Sequence, residues 1–82
     1  MNITYRIDKD IIYIAVEGRI DASNAAEAEE KIFGIKNDNP GKHTVFDADK
    51  LEYISSAGLR VILRLRKEEP KLAIINVAPD VY

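Results

Sequence analysis

Ser55-Ser56-Ala57-Gly58-Leu59 stands where an apolar segment, residues 51–54, gives way to the amphipathic run Leu59–Lys67. Serine is a preferred residue at a helix start, because its hydroxyl accepts a hydrogen bond from an unpaired backbone N–H group. The same position favours an anion, since free N–H groups and the positive end of the helix dipole lie there. The pattern predicts a helix from about Ser56 to Glu69, with a serine that either only caps it or also carries a phosphate.

The N-terminal half of the chain reads as two strands and a helix. Ile3, Tyr5 and Ile7 alternate with polar residues, which is typical of a half-buried edge strand. Ile11–Val16 is almost continuously apolar and predicts an interior strand covered on both faces, closed by Gly18. From Ser23 to Ile35 the apolar residues recur at helical spacing and form one stripe: Ala25, Ala28, Ile32 and Ile35.

The second half repeats the alternation of strand and helix. Thr44-Val45-Phe46 predicts a strand that ends at Asp47, and Leu51, Tyr53 and Ile54 fall in a short loop before the second helix. Pro70 stops that helix, and Leu72–Val77 predicts a further buried strand. The order β-β-α-β-α-β predicts an α/β fold with a small mixed, mainly parallel sheet and helices mainly on one face.

Length and charge exclude several classes of function. With 82 residues the chain predicts a single domain, residues 1–82. The net charge is −2, with acids and bases mixed, which argues against binding to nucleic acid or to an anionic membrane surface. The absence of cysteine, of a signal pattern and of a long apolar stretch predicts a cytoplasmic protein.

Aspartates near strand ends give one alternative function. Asp21, Asp47 and Asp49 would gather at one edge of a parallel sheet, where carboxylates can bind Mg²⁺ and accept a phosphoryl group, as in receiver-like phosphotransfer domains. Aspartate is also a common turn residue, and the strand-end lysine that such a mechanism needs is absent. We find no catalytic serine–histidine–aspartate order, metal-ligand spacing or glycine-rich phosphate loop, so the sequence predicts no enzyme, no cofactor and no metal site.

Gly58 is the remaining unusual feature of the second helix. Glycine inside a helix costs about 0.5–1 kcal/mol relative to alanine, so it usually has a structural or functional reason. Two reasons stay open here, close packing of the helix start on the sheet and room for a partner's side chain.

Three segments of the chain resemble one known family. Residues 51–63, Leu-Glu-Tyr-Ile-Ser-Ser-Ala-Gly-Leu-Arg-Val-Ile-Leu, are similar to the signature of the STAS domains, specifically the bacterial anti-sigma factor antagonists. Residues 16–21 resemble the strand exit of that family, with Asp21 at its acidic position, and residues 76–79 resemble the end of its last core strand. The likeness covers nearly the whole chain.

The resemblance implies a regulator of transcription that works by partner switching. In this family the unphosphorylated antagonist binds an anti-sigma factor, often a serine kinase, and so frees the sigma factor. Phosphorylation of one serine breaks the complex, and a metal-dependent serine phosphatase restores it. By position the phosphoacceptor is Ser56; the preceding residue, commonly aspartate in the family, is Ser55 and remains a competing site. The expected partner surface comprises Asp21, Ser23, Asn24, Ser55, Gly58, Leu59 and Arg60.

The expected function is therefore a non-enzymatic binding switch controlled at Ser56. A STAS module that is never phosphorylated and serves as a scaffold or oligomer interface is one alternative, and the receiver-like domain is the other. The family normally continues into a final helix or two, so we expect residues 1–82 to form a STAS-like domain without that C-terminal helix.

Overall fold

The structure is a computed structural model that describes residues 1–77. The described part contains five strands and two helices, in the chain order β1 (Asn2–Asp8), β2 (Ile11–Ile20), α1 (Ala25–Asp38), β3 (His43–Asp47), β4 (Leu51–Ile54), α2 (Ser56–Glu68) and β5 (Ala73–Ile75). Both predicted helices are present, α1 beginning two residues later and ending three residues later than expected. Residues 78 and 79 of the segment that resembles the family's last core strand, and the position of the expected missing helix, lie outside the described residues.

The sheet has the predicted mixed topology. β1 and β2 form an antiparallel hairpin, and β2–β3 and β3–β5 pair in parallel. The strand order is β1-β2-β3-β5, with β4 also pairing to β2. The predicted class, a small mixed α/β sheet, is confirmed.

A fourth strand replaces the loop that the sequence predicted at residues 51–54. β4 pairs in parallel with the end of β2, where Ile54 lies opposite Ile20. In this four-residue strand only Leu51 and Ile54 are buried, so apolar and polar positions do not alternate. The sequence therefore lacked the period of two that predicts a strand. The prediction that β2 closes at Gly18 is also wrong. Gly18 has φ +98° and sits at a shift in register, so the strand continues through an irregularity to Ile20 and offers β4 a partner.

The core lies on one face of the sheet. Along β2 the residues Ile12, Ile14, Val16 and Ile20 are buried, while Ile11, Tyr13 and Ala15 on the opposite face are half-buried. Residues of both helices share the core cluster of that buried face, as the sequence predicted. The expectation that β2 is covered on both faces is wrong. Its residues are almost all apolar, but buried and half-buried positions alternate along the strand, so only one face is fully covered.

Helix α2 is fixed to the sheet at both ends. Near its start the Ser55 backbone N–H donates to the Ile20 carbonyl at 2.9 Å, which joins the helix entrance to the exit of β2. Beyond its end the half-buried Glu69 carboxylate accepts from the Thr44 backbone N–H at 2.7 Å and lies 3.5 Å from the Lys36 ammonium. The Ser55–Ile20 bond holds the first turn of α2 beside the end of β2. Across the described residues, no helix has the length and apolar character needed to cross a membrane.

Candidate functional site

Ser55 is the N-cap of α2. Its backbone is extended (φ −85°, ψ 176°), and its hydroxyl oxygen accepts from the Gly58 N–H at 3.3 Å. Its carbonyl accepts the first helical bond, from the Leu59 N–H at 2.9 Å. The side chain is only half-exposed and its oxygen is already committed to the helix, so Ser55 has a structural role.

Ser56 is the first helical residue and is exposed. Among residues 1–77 its hydroxyl has no side-chain hydrogen bond, in contrast to that of Ser55. The first turn contains no acidic residue. A free hydroxyl therefore stands in solvent beside the positive end of the helix dipole.

Gly58 is buried where α2 rests on the sheet. A Cβ atom added there would lie 2.6 Å from Ile54 Cγ1 and 2.8 Å from Ile20 Cγ2, far inside normal contact. Close packing is thus the reason for this glycine. Of the two explanations left open by the sequence, the structure favours packing, and Gly58 acts by setting how deep the helix start sits.

The loop after β2 is organised by side-chain hydrogen bonds. One Asp21 carboxylate oxygen accepts from the Ser23 N–H at 2.9 Å and from the Ser23 hydroxyl at 2.5 Å. The Asn24 side chain accepts from the Asp21 N–H and donates to the Arg19 carbonyl, both at 2.9 Å. Asn24 is the N-cap of α1 by position, but its side chain braces this loop and makes no cap bond.

These hydrogen bonds also affect the charge of the loop. They hold the pKa of Asp21 below its usual value, chiefly because the Ser23 hydroxyl and N–H stabilise the ionised carboxylate. The loop therefore presents a negative charge at neutral pH, close to the start of α2.

The two segments meet at one end of the molecule. Ile20 lies opposite Ile54 in the β2–β4 pair, so the residues that follow each strand, Asp21 and Ser55, are neighbours. The structure thus places the loop and helix residues of the expected partner surface at the same end of the molecule. At this end the exposed members of the predicted set are Ser23, Ser56, Leu59 and Arg60.

Comparison with known proteins identifies the family. The family model described as STAS domain matches residues 2–82. The chain belongs to the STAS domain family.

This STAS domain is similar to BtrV of Bordetella bronchiseptica, named as a candidate anti-sigma factor antagonist, with 31% identity over 75 residues. The match covers 87% of this chain and 64% of BtrV, so the chain spans less than two thirds of that relative.

Solved structures of antagonists share the fold. An anti-sigma factor antagonist from Mycobacterium paratuberculosis superposes with a TM-score of 0.78 at 21% identity, over 89% of this chain and 64% of that one. The anti-sigma factor antagonist SpoIIAA in its unphosphorylated form gives 0.71 at 17% identity, over 95% and 76%.

Arg19 and Tyr53 flank the site of this STAS domain and were missed by sequence reasoning. The Arg19 guanidinium stacks 4.4 Å from the centre of the Tyr53 ring, and the two residues are paired across β2 and β4. The signal that could have found them was the β4 strand, because only parallel pairing of residues 51–54 with β2 places them side by side.

The three aspartates of the receiver-like alternative do not share one edge of the sheet, because Asp21 lies apart from Asp47 and Asp49. Asp47 lies opposite Ala15 in the β2–β3 pair, and Ala15 precedes Asp21 by six residues. At about 3.3 Å per residue along the strand, Asp47 and Asp21 are therefore about 20 Å apart. Asp47 accepts from the Asn76 side chain and the Asp49 N–H, both at 3.0 Å, and these bonds lower its pKa. Within residues 1–77 no three acidic or histidine side chains are placed to hold a metal ion. The expected common rim is therefore wrong.

Proposed function

We propose that this STAS domain acts as an anti-sigma factor antagonist, a binding protein without catalysis of its own, and that phosphorylation of Ser56 switches it off. The observation that carries the proposal is the exposed Ser56 hydroxyl, one residue after the cap and beside the Asp21 loop. Its partners would be an anti-sigma factor that is also a serine kinase and a metal-dependent serine phosphatase.

A phosphate on Ser56 is compatible with the fold. The side chain points away from the core, and the helix dipole favours an anion in the first turn by about 0.3–1 kcal/mol. Ser55 retains its own bond to Gly58, so the cap is not disturbed. Phosphorylation would therefore change the surface and leave the scaffold intact.

The same phosphate opposes docking. It adds a charge of about −1.5 to −2 at neutral pH, next to a carboxylate, Asp21, that is already ionised. A partner seated on Ser56, Leu59 and Arg60 meets new bulk, new charge and the cost of desolvating both. The proposed docking surface is the one nominated from sequence. Gly58 contributes to it indirectly, by allowing the start of α2 to pack closely on the sheet.

A binding titration tests the switch. The unmodified chain, Ser56→Ala and Ser56→Asp are titrated with a purified anti-sigma factor of the serine-kinase class from the same organism. We expect Ser56→Ala to bind like the unmodified chain and Ser56→Asp to bind about tenfold or more weakly, the equivalent of about 1.4 kcal/mol. Asn37→Asp, an exposed position near the end of α1, adds the same charge away from the site and should bind normally. Equal affinities for Ser56→Ala and Ser56→Asp would contradict the proposal.

Intact-mass measurement assigns the modified residue. After incubation with the kinase and ATP we expect one added phosphate, lost in Ser56→Ala and retained in Ser55→Ala. A chain that binds its partner and never gains the phosphate would instead be a scaffold STAS module.

A further inference from the structure

The outward face of α2 is basic, although the whole chain is slightly acidic. Between Ser56 and Glu68 the basic side chains are Arg60, Arg64, Arg66 and Lys67, against the single acid Glu68. Arg64 pairs with Glu29 of α1. Within the described part of the chain, no carboxylate forms an ion pair with Arg60, Arg66 or Lys67.

Arg60 stands one helical turn beyond Ser56. Residues four apart lie on the same helix face, with Cβ atoms about 5–6 Å from each other. Both residues are exposed, so neither is held by the core. An acidic group four residues before a base is the favourable orientation of such a pair, and a guanidinium can bind two phosphate oxygens at once.

Leu63 completes this stripe. It is 64% exposed, the highest exposure among the large apolar residues of the described chain. It follows Arg60 by three residues, so the two side chains are neighbours on the helix surface. Ser56, Arg60 and Leu63 therefore present a hydroxyl, a free cation and an apolar side chain along one line of the helix. The surface complementary to that line carries a carboxylate beside an apolar side chain.

We propose that a phosphate on Ser56 is bound within the same helix by Arg60, and that this pairing withdraws Arg60 from a carboxylate of the docking partner beside Leu63. The inference rests on the proposed function and adds to it the residue that binds the phosphate, Arg60. Phosphorylation then both adds negative charge and removes an available positive charge, and both changes weaken an acidic partner's contact.

The pairing can be tested without any partner. Phosphoserine is incorporated at position 56 during synthesis of the full chain, and the phosphate is titrated by ³¹P NMR. We expect the second pKa of the phosphate to be lower with Arg60 than in Arg60→Gln, because the guanidinium stabilises the dianion. Lys67→Gln is the matched control, since it removes an exposed cation that lies about 16 Å from Ser56 along the helix axis, and it should leave that pKa unchanged. The same pKa in all three proteins would overturn the pairing and would leave the proposed switch standing.

The consequence for docking is measured with the same proteins and the same anti-sigma factor of the serine-kinase class. Arg60→Gln should weaken the unphosphorylated complex by about tenfold, the usual cost of losing a charged hydrogen bond. Phosphorylation should then reduce the affinity of Arg60→Gln by a several-fold smaller factor than it reduces the affinity of the unmodified chain. A full loss in Arg60→Gln would refute the role of Arg60 alone. No loss of affinity on phosphorylation with Arg60 present would refute the switch itself.

Discussion

The two adjacent serines at the start of α2 have different roles. The Ser55 hydroxyl is used by the Gly58 N–H, whereas the Ser56 hydroxyl faces solvent. The division follows from helix geometry, because the N-cap side chain folds back over the first turn and the next residue points outward. A single residue step therefore separates a stability role from a candidate modification site.

This division predicts opposite results for two alanine substitutions. Ser55→Ala removes the cap and should lower the free energy of unfolding by about 1 kcal/mol. Ser56→Ala removes an exposed hydroxyl that has no hydrogen-bond partner among residues 1–77, and it should change the free energy of unfolding by less than about 0.5 kcal/mol. Urea unfolding followed by circular dichroism measures both. A larger loss in Ser56→Ala than in Ser55→Ala would reverse the assignment.

Asp21 predicts a pH dependence with a definite sign. Its pKa is depressed in the folded chain, so the stability that it contributes is present above the unfolded value and lost as pH falls through the folded one. Ser23→Ala removes the largest cause and should move the Asp21 pKa upward, toward the ordinary value of an aspartate. Carboxyl NMR titration measures the change. Ser56→Ala should not produce it, and an unchanged Asp21 pKa in Ser23→Ala would show that the Ser23 hydroxyl is not its cause.

At the scale of elements, the depth at which α2 sits on β2 and β4 is set by Gly58. The side chains of Ile20 and Ile54 occupy the place that a Cβ would need, and both are buried and branched. The helix start can approach the sheet only because this position has no side chain. Its approach in turn brings Ser55 within reach of the Ile20 carbonyl.

Gly58→Ala and Gly34→Ala should therefore change stability in opposite directions. Overpacking at Gly58 costs about 1–3 kcal/mol, and the gain in helix propensity of about 0.5–1 kcal/mol offsets only part of it. Gly34 lies within α1 and has no atom within 4 Å of an added Cβ, so alanine there should stabilise by about 0.5–1 kcal/mol. Chemical denaturation tests the pair, and stabilisation by Gly58→Ala would contradict the close-packing explanation.

At the scale of the whole molecule, the fold and the proposed switch are physically separate. The core lies between one sheet face and the two helices, whereas Ser56, Leu59 and Arg60 are exposed at the start of α2. A charge added at Ser56 therefore touches no core contact. The proposed regulation acts on docking and requires no unfolding.

That separation predicts a fold that is insensitive to the switch residue. Ser56→Asp should unfold at the same denaturant concentration as the unmodified chain or slightly higher, because an acid in the first turn contributes about 0.3–1 kcal/mol. Ile14→Ala, in the centre of the sheet, should cost about 2–5 kcal/mol. Loss of structure in Ser56→Asp by circular dichroism would indicate that the switch works through unfolding.

Sequence patterns predicted the elements whose signal is local. The stripe of α1 and the serine cap of α2 were readable because a helix repeats within a few residues. β4 was not readable, since four residues cannot show a period and its partner lies more than thirty positions earlier in the chain. The same limit concealed Arg19 and Tyr53, which meet only through that pairing.

The amino-acid order alone determined that a serine pair caps a helix, that strands alternate with helices, and that the exposed surface is mixed in charge. Those properties depend on neighbours within one turn or one strand. Only the tertiary structure decided which serine is exposed, why position 58 must be glycine, and that Asp21 and Asp47 lie apart. These outcomes depend on strand register and on how closely a helix approaches a sheet, and both are set by contacts between residues distant in the chain.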